Sequence, residues 1–356
     1  MKHLVIGPGA MAYFAFAGAL SALKDLGALN DLEDISGSSA GSILALLYIL
    51  TKGDTLQVMQ SSIDVPVGNI IKPVIKTLIK SFGLVGTTKV RKIFKTLVSE
   101  FLNKDDVTFA ELYAYWPVKL HVAACCIELS TTHYFSVDTA PNMSVLDAVT
   151  MSISVPFLFA SFKHGPWHYI DGGTLEESPC GPFIGQDSVC VIRMNKMGIE
   201  TNLKDLKTYA IQIINSAMYL RHKYPHFPTV LIEADNIFDF KVSSDVKIRM
   251  FVQAYISCKN NPPRFETCRT RTPEPEPCTD PSHPWLACDA VPDSPQTQPD
   301  DTDETMSFLQ PCTPPRIEDN DTSEFAACTH ETLVPSLPDD NTCSGRLSDP
   351  LEIFQS

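Results

Sequence analysis

Residues Gly37-Ser38-Ser39-Ala40-Gly41 hold a serine between two small residues and two glycines, in the spacing G-x-S-x-G. They lie where the short apolar run "DISG" passes into the apolar run "AGSILALLYILTKG". A strand that turns sharply into a helix at such a point exposes the Ser39 hydroxyl for attack on an acyl carbon, and the small neighbours, with Gly37 and Gly41, let the backbones pass closely. A helix starting at Ala40 adds unpaired N–H groups and the positive end of its dipole, both of which favour negative charge beside Ser39. The bare pattern arises by accident in roughly one chain in ten of this length. A plain helix N-cap by Ser38 or Ser39 is also open.

A nucleophilic serine needs a base. His3, His121, His133, His164, His168, His222 and His226 are scattered, and none sits in a recognisable loop after a strand. Asp171, in "WHYIDGGTLEESP", ends an apolar run and precedes Gly172 and Gly173, which allow close backbone approach. A carboxylate with the ordinary pKa of ~3.9 is ionised at neutral pH and accepts a serine proton directly if held within reach. The same three residues also fit a simple turn. A third requirement, backbone donors for a developing oxyanion, points to Gly7-Pro8-Gly9-Ala10-Met11. Gly9 and Ala10 are the candidate donors; Pro8 has no N–H. No ligand spacing suggests a metal, and the chemistry calls for no cofactor.

The elements that would carry these residues are strands alternating with helices. "HLVIG", "DISG", "VKLHVAACCI", "WHYID", "SVCVIRM" and "TVLIEAD" read as strands. Residues 10–27, 40–53, 144–152, 202–222 and 243–257 read as helices. Strands that are apolar on both faces indicate an α/β sheet covered by helices on each side. The uncharged stretch "LVIGPGAMAYFAFAGAL" at residues 4–20 has the hydropathy of a signal or an anchor. Gly7-Pro8-Gly9 instead splits it into a buried strand and a buried helix, so no signal peptide or transmembrane helix is expected. Adjacent Cys125 and Cys126 would point to opposite faces of a strand as buried, reduced thiols, which favours a reducing compartment.

Charge and composition divide the chain. Residues 1–258 hold 22 Lys and Arg against 23 Asp and Glu, whereas residues 259–356 hold 6 against 19 and carry most of the net charge of −14. The acidic part argues against nucleic acid or anionic lipid as its partner, and the neutral front part carries no electrostatic attraction of its own. Sixteen of the 27 prolines also fall after Cys258. Residues 258–356 therefore read as a disordered acidic tail on a catalytic domain of residues 1–257. Cys258, Cys268, Cys278 and Cys288 recur every ten residues, but no C-x-x-C pair accompanies them to mark a zinc or disulfide module.

A glycine-rich loop, a G-x-S-x-G and a D-G-G in this order resemble the patatin-like phospholipases, lipid acyl hydrolases that use a Ser–Asp dyad. "FGLVGTTKVRKIFKTLV" is similar to the family's Gly-Leu-x-x-Gly entry to a basic helix. "MSVLDAVTMSISVPFLF" is similar to its helix into a Ser-x-x-x-Pro turn, carried here by Ser152 and Pro156. The resemblance spans roughly residues 3–257. It implies a three-layer α/β/α fold with a mostly parallel sheet, Ser39 as nucleophile, Asp171 as general base and the Gly9 and Ala10 amides as oxyanion hole. A lipid substrate at a membrane surface and an intracellular, cytoplasmic or peripheral location are implied with them. The loop departs from the family: Gly-Gly-Gly-x-Arg/Lys-Gly reads Pro8-Gly9-Ala10-Met11-Ala12-Tyr13. The missing basic residue leaves open a catalytically weakened relative that binds lipid or a protein partner.

Overall fold

Gly7-Pro8-Gly9 interrupts the opening apolar run as its residue types require. Strand β1 (His3–Ile6) ends before it, a 3-10 turn covers Ala10–Ala12, and helix α1 (Tyr13–Asp25) follows. The computed structural model describes residues 1–65, 67–70, 81–195, 213, 227–235 and 237–263. Apart from Ile213, the helix expected at 202–222 lies outside the described residues, as does the chain beyond 263 with Cys268, Cys278 and Cys288. The chain divides into Met1–Pro275 and Glu276–Ser356, and the description concerns the first unit.

After α1 come β2 (Asp34–Ser38), α2 (Ala40–Leu50) and α3 (Thr55–Ile63). Then follow β3 (Gly83–Val85), α4 (Thr87–Leu102), α5 (Phe109–Tyr115), β4 (Lys119–Cys126) and β5 (Thr131–Phe135). Helix α6 (Val145–Ser152) leads to β6 (Phe157–Phe159), β7 (Phe162–His164) and β8 (Trp167–Asp171). Strands β9 (Val189–Met194) and β10 (Thr229–Ile232) and helix α7 (Ser244–Asn260) complete the described part. Side chains start several helices: Asp54 accepts the amides of Leu56 and Gln57 at 3.0 and 3.1 Å, and Ser144 accepts that of Asp147 at 3.0 Å. Thr108 and Glu111 form a reciprocal capping box at α5.

The sheet runs β10-β9-β1-β2-β4 in parallel and continues in antiparallel strands, β8 and then β7. Strand β4 is the pivot. Its residues 119–123 pair with β2, its residues 124–126 pair with β8, and β5 pairs with 122–126. Because β5 occupies one edge across both segments, β2 and β8 share the other edge, end to end. This mostly parallel arrangement follows from the alternating strands and helices of the sequence.

The central strands β1, β2, β4 and β9 are buried on both faces because both are covered. Leu4 and Ile6 join the main core with α1, α2 and α7, whereas Val5 turns to Cys180, Phe183, Val189 and Val191 on the other side. Helix α1 is buried around its whole circumference as far as Leu23. Cys125, Cys126, Cys180 and Cys190 are buried, and burial pushes the Cys180 and Cys190 thiols up to about 12, so both stay protonated. Helix α7 continues through Cys258, which is 2% exposed in the main core, so the boundary expected after residue 257 falls inside a helix. Among the described residues no helix is long and apolar enough to cross a membrane.

Candidate active site

Ser39 sits where β2 gives way to α2, with φ 53° and ψ −123°. An L-residue enters this region, the first corner of a II′ turn, at an expense of about 1–3 kcal/mol, and only a surrounding structure that over-determines it keeps it there. The local contacts do so. The Ser39 amide donates to Ser152 Oγ at 2.9 Å, and its carbonyl accepts from the Ser42 hydroxyl at 2.7 Å. Ser152 Oγ in turn donates to the Ala123 carbonyl on β4 at 2.6 Å. Gly41 is required as the second residue of α2: a Cβ there would stand 2.2 Å from the Ile6 carbonyl oxygen. Ser39 occupies the N-cap position but its side chain makes no capping bond, so its hydroxyl is not spent on the helix.

Asp171 closes β8 and is 4% exposed. Its Oδ1 accepts the Gly173 amide at 2.8 Å, so the turn role read from the sequence is real and uses one oxygen. The other, Oδ2, is buried and completes no hydrogen bond. The Ser39 hydroxyl nevertheless bears on this carboxyl and draws its pKa down, as does the Gly173 amide. Loss of water on burial outweighs both and lifts the pKa to about 7. Serine and carboxyl are thus neighbours without a tight bond. Gly173 is required where the turn crosses the glycine-rich loop, since a Cβ would lie 2.7 Å from the Pro8 ring.

In that loop the Met11 amide is taken by the Ile237 carbonyl at 3.0 Å and the Ala12 amide by the Gly9 carbonyl at 2.8 Å. Among the described residues the amides of Gly9 and Ala10 donate no hydrogen bond. Ala10 has φ 46°, the left-handed region in which the family's glycine is at ease and a Cβ is strained. The Ala40 amide, at the first position of α2, is likewise unengaged and follows the serine directly, the place from which hydrolases of related architecture draw one oxyanion donor.

Ser39, Ala10 and Ala40 open onto a cavity of about 160 Å³. Its walls are apolar: Tyr13 and Phe14 from α1, Val90, Phe94 and Leu97 from α4, and Phe159 from β6. The α4 residues lie on one helix face, spaced by four and three. Arg91 on the neighbouring face reaches Asp106 and Asp147 at 2.7 Å each, tying this wall to α6, whose last residue is Ser152.

The structure therefore brings together Ser39, Asp171, Gly9 and Ala10, with Gly37, Gly41, Gly172 and Gly173 at their close approaches and Gly7 beneath the Glu177 carbonyl. One participant is not legible in the sequence. Ser152 appears there only as part of a Ser-x-x-x-Pro turn, and its link to the Ser39 amide is a tertiary contact. The Ala40 amide is one of the unpaired N–H groups expected at the start of that helix.

The profile of the Patatin-like phospholipase family matches residues 4–184. The "Probable lipid hydrolase 463L" of Invertebrate iridescent virus 6 is 28% identical over 185 residues, which make up 50% of this chain and 61% of the viral protein. The "Uncharacterized protein R571" of Acanthamoeba polyphaga mimivirus is 26% identical over 184 residues, 50% of this chain and 60% of its own. The chain thus spans about six tenths of the length of these curated relatives. Among solved structures, VipD from Legionella pneumophila aligns with TM-score 0.43 at 16% identity, over 73% of this chain and 66% of that one. ExoU from Pseudomonas aeruginosa, in complex with SpcU, aligns with TM-score 0.39 at 16% identity, over 73% and 52%. The family match takes in β1, the G-x-S-x-G turn, Ser152 and the D-G-G turn and covers just over half of the chain, so the protein belongs to the patatin-like phospholipase family.

Proposed function

We propose that this protein is a lipid acyl hydrolase of phospholipase A type, cleaving fatty acyl esters of glycerophospholipids or acylglycerols through a Ser39–Asp171 dyad. The observation that carries the reading is the position of Ser39, on a strained turn with an unspent hydroxyl, between a buried carboxyl and an apolar cavity. Ionised Asp171 takes the hydroxyl proton as Ser39 Oγ bonds to the ester carbonyl carbon. The tetrahedral oxyanion gathers on the Gly9 and Ala10 amides, with Ala40 beside them. Asp171 returns the proton to the departing alkoxide, the lysolipid or alcohol leaves, and an acyl-Ser39 ester remains. Water, deprotonated by Asp171, releases the fatty acid and restores the serine. The cavity accepts the acyl chain, and the substrate is met at a membrane surface. The viral relative named as a probable lipid hydrolase supports the substrate class.

A fluorophosphonate probe tests the reading: it is expected to label Ser39, to leave Ser39→Ala unlabelled, and to react far more slowly with Asp171→Asn. Labelling that persists at the same rate in Ser39→Ala would remove Ser39 from its role. A second reading, a weakened enzyme that chiefly binds lipid, draws on one observation: Ala10 holds a glycine conformation and Ala12 stands where the family has a cation.

A further inference from the structure

Phe82 and Phe157 are large apolar side chains left in solvent, 66% and 50% exposed. Each also has a left-handed backbone, with φ 61° and 65°. A bulky residue in that region is a true outlier, and glycine or asparagine would occupy either position with less strain. Neither exposure is a frayed end. Gly83, next to Phe82, pairs with Phe157 in the small parallel sheet β3–β6. The Ala160 amide donates to the Val85 carbonyl at 2.9 Å and the Ser161 amide to the Ser81 carbonyl at 3.1 Å, so both segments are held. Phe82, just before β3, and Phe157, the first residue of β6, therefore sit at the same end of one hydrogen-bonded two-stranded unit.

That unit is continuous with the cavity that receives Ser39. Val155 and Phe159, two residues to either side of Phe157, both line it. An apolar path thus leads from the exposed rings along β6 to the nucleophile. We propose that Phe82 and Phe157 form a wedge that enters the acyl region of a lipid bilayer and delivers an acyl chain to this cavity; the proposal rests on the lipid substrate inferred above. Charge favours an apolar mode of docking, because residues 1–258 are close to neutral and the remainder is acidic. Two rings are too little surface for a stable protein interface, which buries about 1,200–2,000 Å². They suit partition into a bilayer, where a buried aromatic ring of this exposure strengthens binding about tenfold.

The test uses the full chain and vesicles of diether phosphatidylcholine, whose ether links no esterase cleaves, so binding is read apart from turnover. Phe82→Asn and Phe157→Asn each place a residue tolerant of positive φ. Each is expected to lower sedimentation with vesicles about tenfold and the double variant about a hundredfold. The melting temperature should hold or rise, and turnover of a water-soluble short-chain ester should be unchanged. Raising the salt concentration should leave vesicle binding intact. Vesicle binding by the double variant equal to that of the wild type overturns the wedge, as does a wild type that does not bind. A fall in binding that comes with an equal fall in melting temperature and soluble-ester turnover also overturns it, since that marks a structural role. Absence of ester turnover in the wild type with binding still dependent on the two rings defeats the proposed reaction and leaves the wedge standing.

Discussion

Ser39 follows the last residue of β2 and Asp171 is the last of β8, two strands that run toward each other along one edge of β4: Ser38 pairs with Ala123 and Asp171 with Ala124. Two consecutive residues of a single strand, about 3.3 Å apart along it, thereby fix the separation of hydroxyl and carboxyl. A parallel strand and an antiparallel strand must both end at this point for the pair to form. The Ser152 hydroxyl ties the same Ala123 to the Ser39 amide, so Ser39 and β4 are held as one unit beside Asp171.

The pH dependence of turnover follows from the burial of Asp171. In the proposed reaction only its ionised form accepts the Ser39 proton, and its pKa is raised to about 7. The kcat/KM for a soluble ester should fall about tenfold per pH unit below 7 and level off above it. An unshifted carboxyl would hold the plateau down to about pH 5.

The same burial makes Asp171 a destabilising residue in its working form. Its folded pKa of about 7 exceeds the ordinary 3.8, so the folded state binds a proton that the unfolded state releases between those values. The stability of the wild type accordingly declines as pH rises from 4 to 7 relative to Asp171→Asn, which does not titrate. Thermal or denaturant unfolding should show the variant inactive yet more stable, by up to about 4 kcal/mol at pH 7 and above, with the gain vanishing near pH 4.

Ser152→Ala leaves the Ser39 amide and the Ala123 carbonyl without partners in the interior. Each unsatisfied group is worth about 1–3 kcal/mol, so unfolding should show a loss of about 2–4 kcal/mol. The turn also loses its tether, and kcat should fall about tenfold to a hundredfold with a smaller change in KM.

Ala10 separates the two views of the altered loop. At φ 46° a Cβ is strained, so Ala10→Gly should raise stability by about 0.5–1 kcal/mol and should not lower kcat. Ala10→Val, β-branched at the same φ, should displace the amide and reduce kcat by about 10²–10³, the worth of one oxyanion donor. Equal kcat in all three proteins would take Ala10 out of the oxyanion hole.

What the sequence reveals of this site is what local chemistry encodes. Gly7-Pro8-Gly9 must break a strand, Ser39 stands between residues small enough for a tight elbow, and Asp171 precedes two glycines. The strands β1, β2, β4 and β9 are long enough for their apolar runs to register. Strands of three residues, such as β3, β6 and β7, show no period, and the reversal of β8 against β4 leaves no mark on "WHYID". Ser152 and the backbone of Ala10 were hidden for a related reason. One acts through a partner 113 residues away, and the other departs from its residue type's preference because the loop around it demands it. Exposed Phe82 and Phe157 also look like core residues in sequence, since hydrophobicity does not report which apolar side chains are left outside.

Fatty acid release tests whether Ser39 carries acyl transfer from lipid. The full chain and Ser39→Ala are incubated side by side with a panel of phospholipids and acylglycerols, and free fatty acid is quantified. Release by the wild type that drops at least about 10³-fold in Ser39→Ala is the predicted result. Fatty acid released by Ser39→Ala at the wild-type rate would contradict the account.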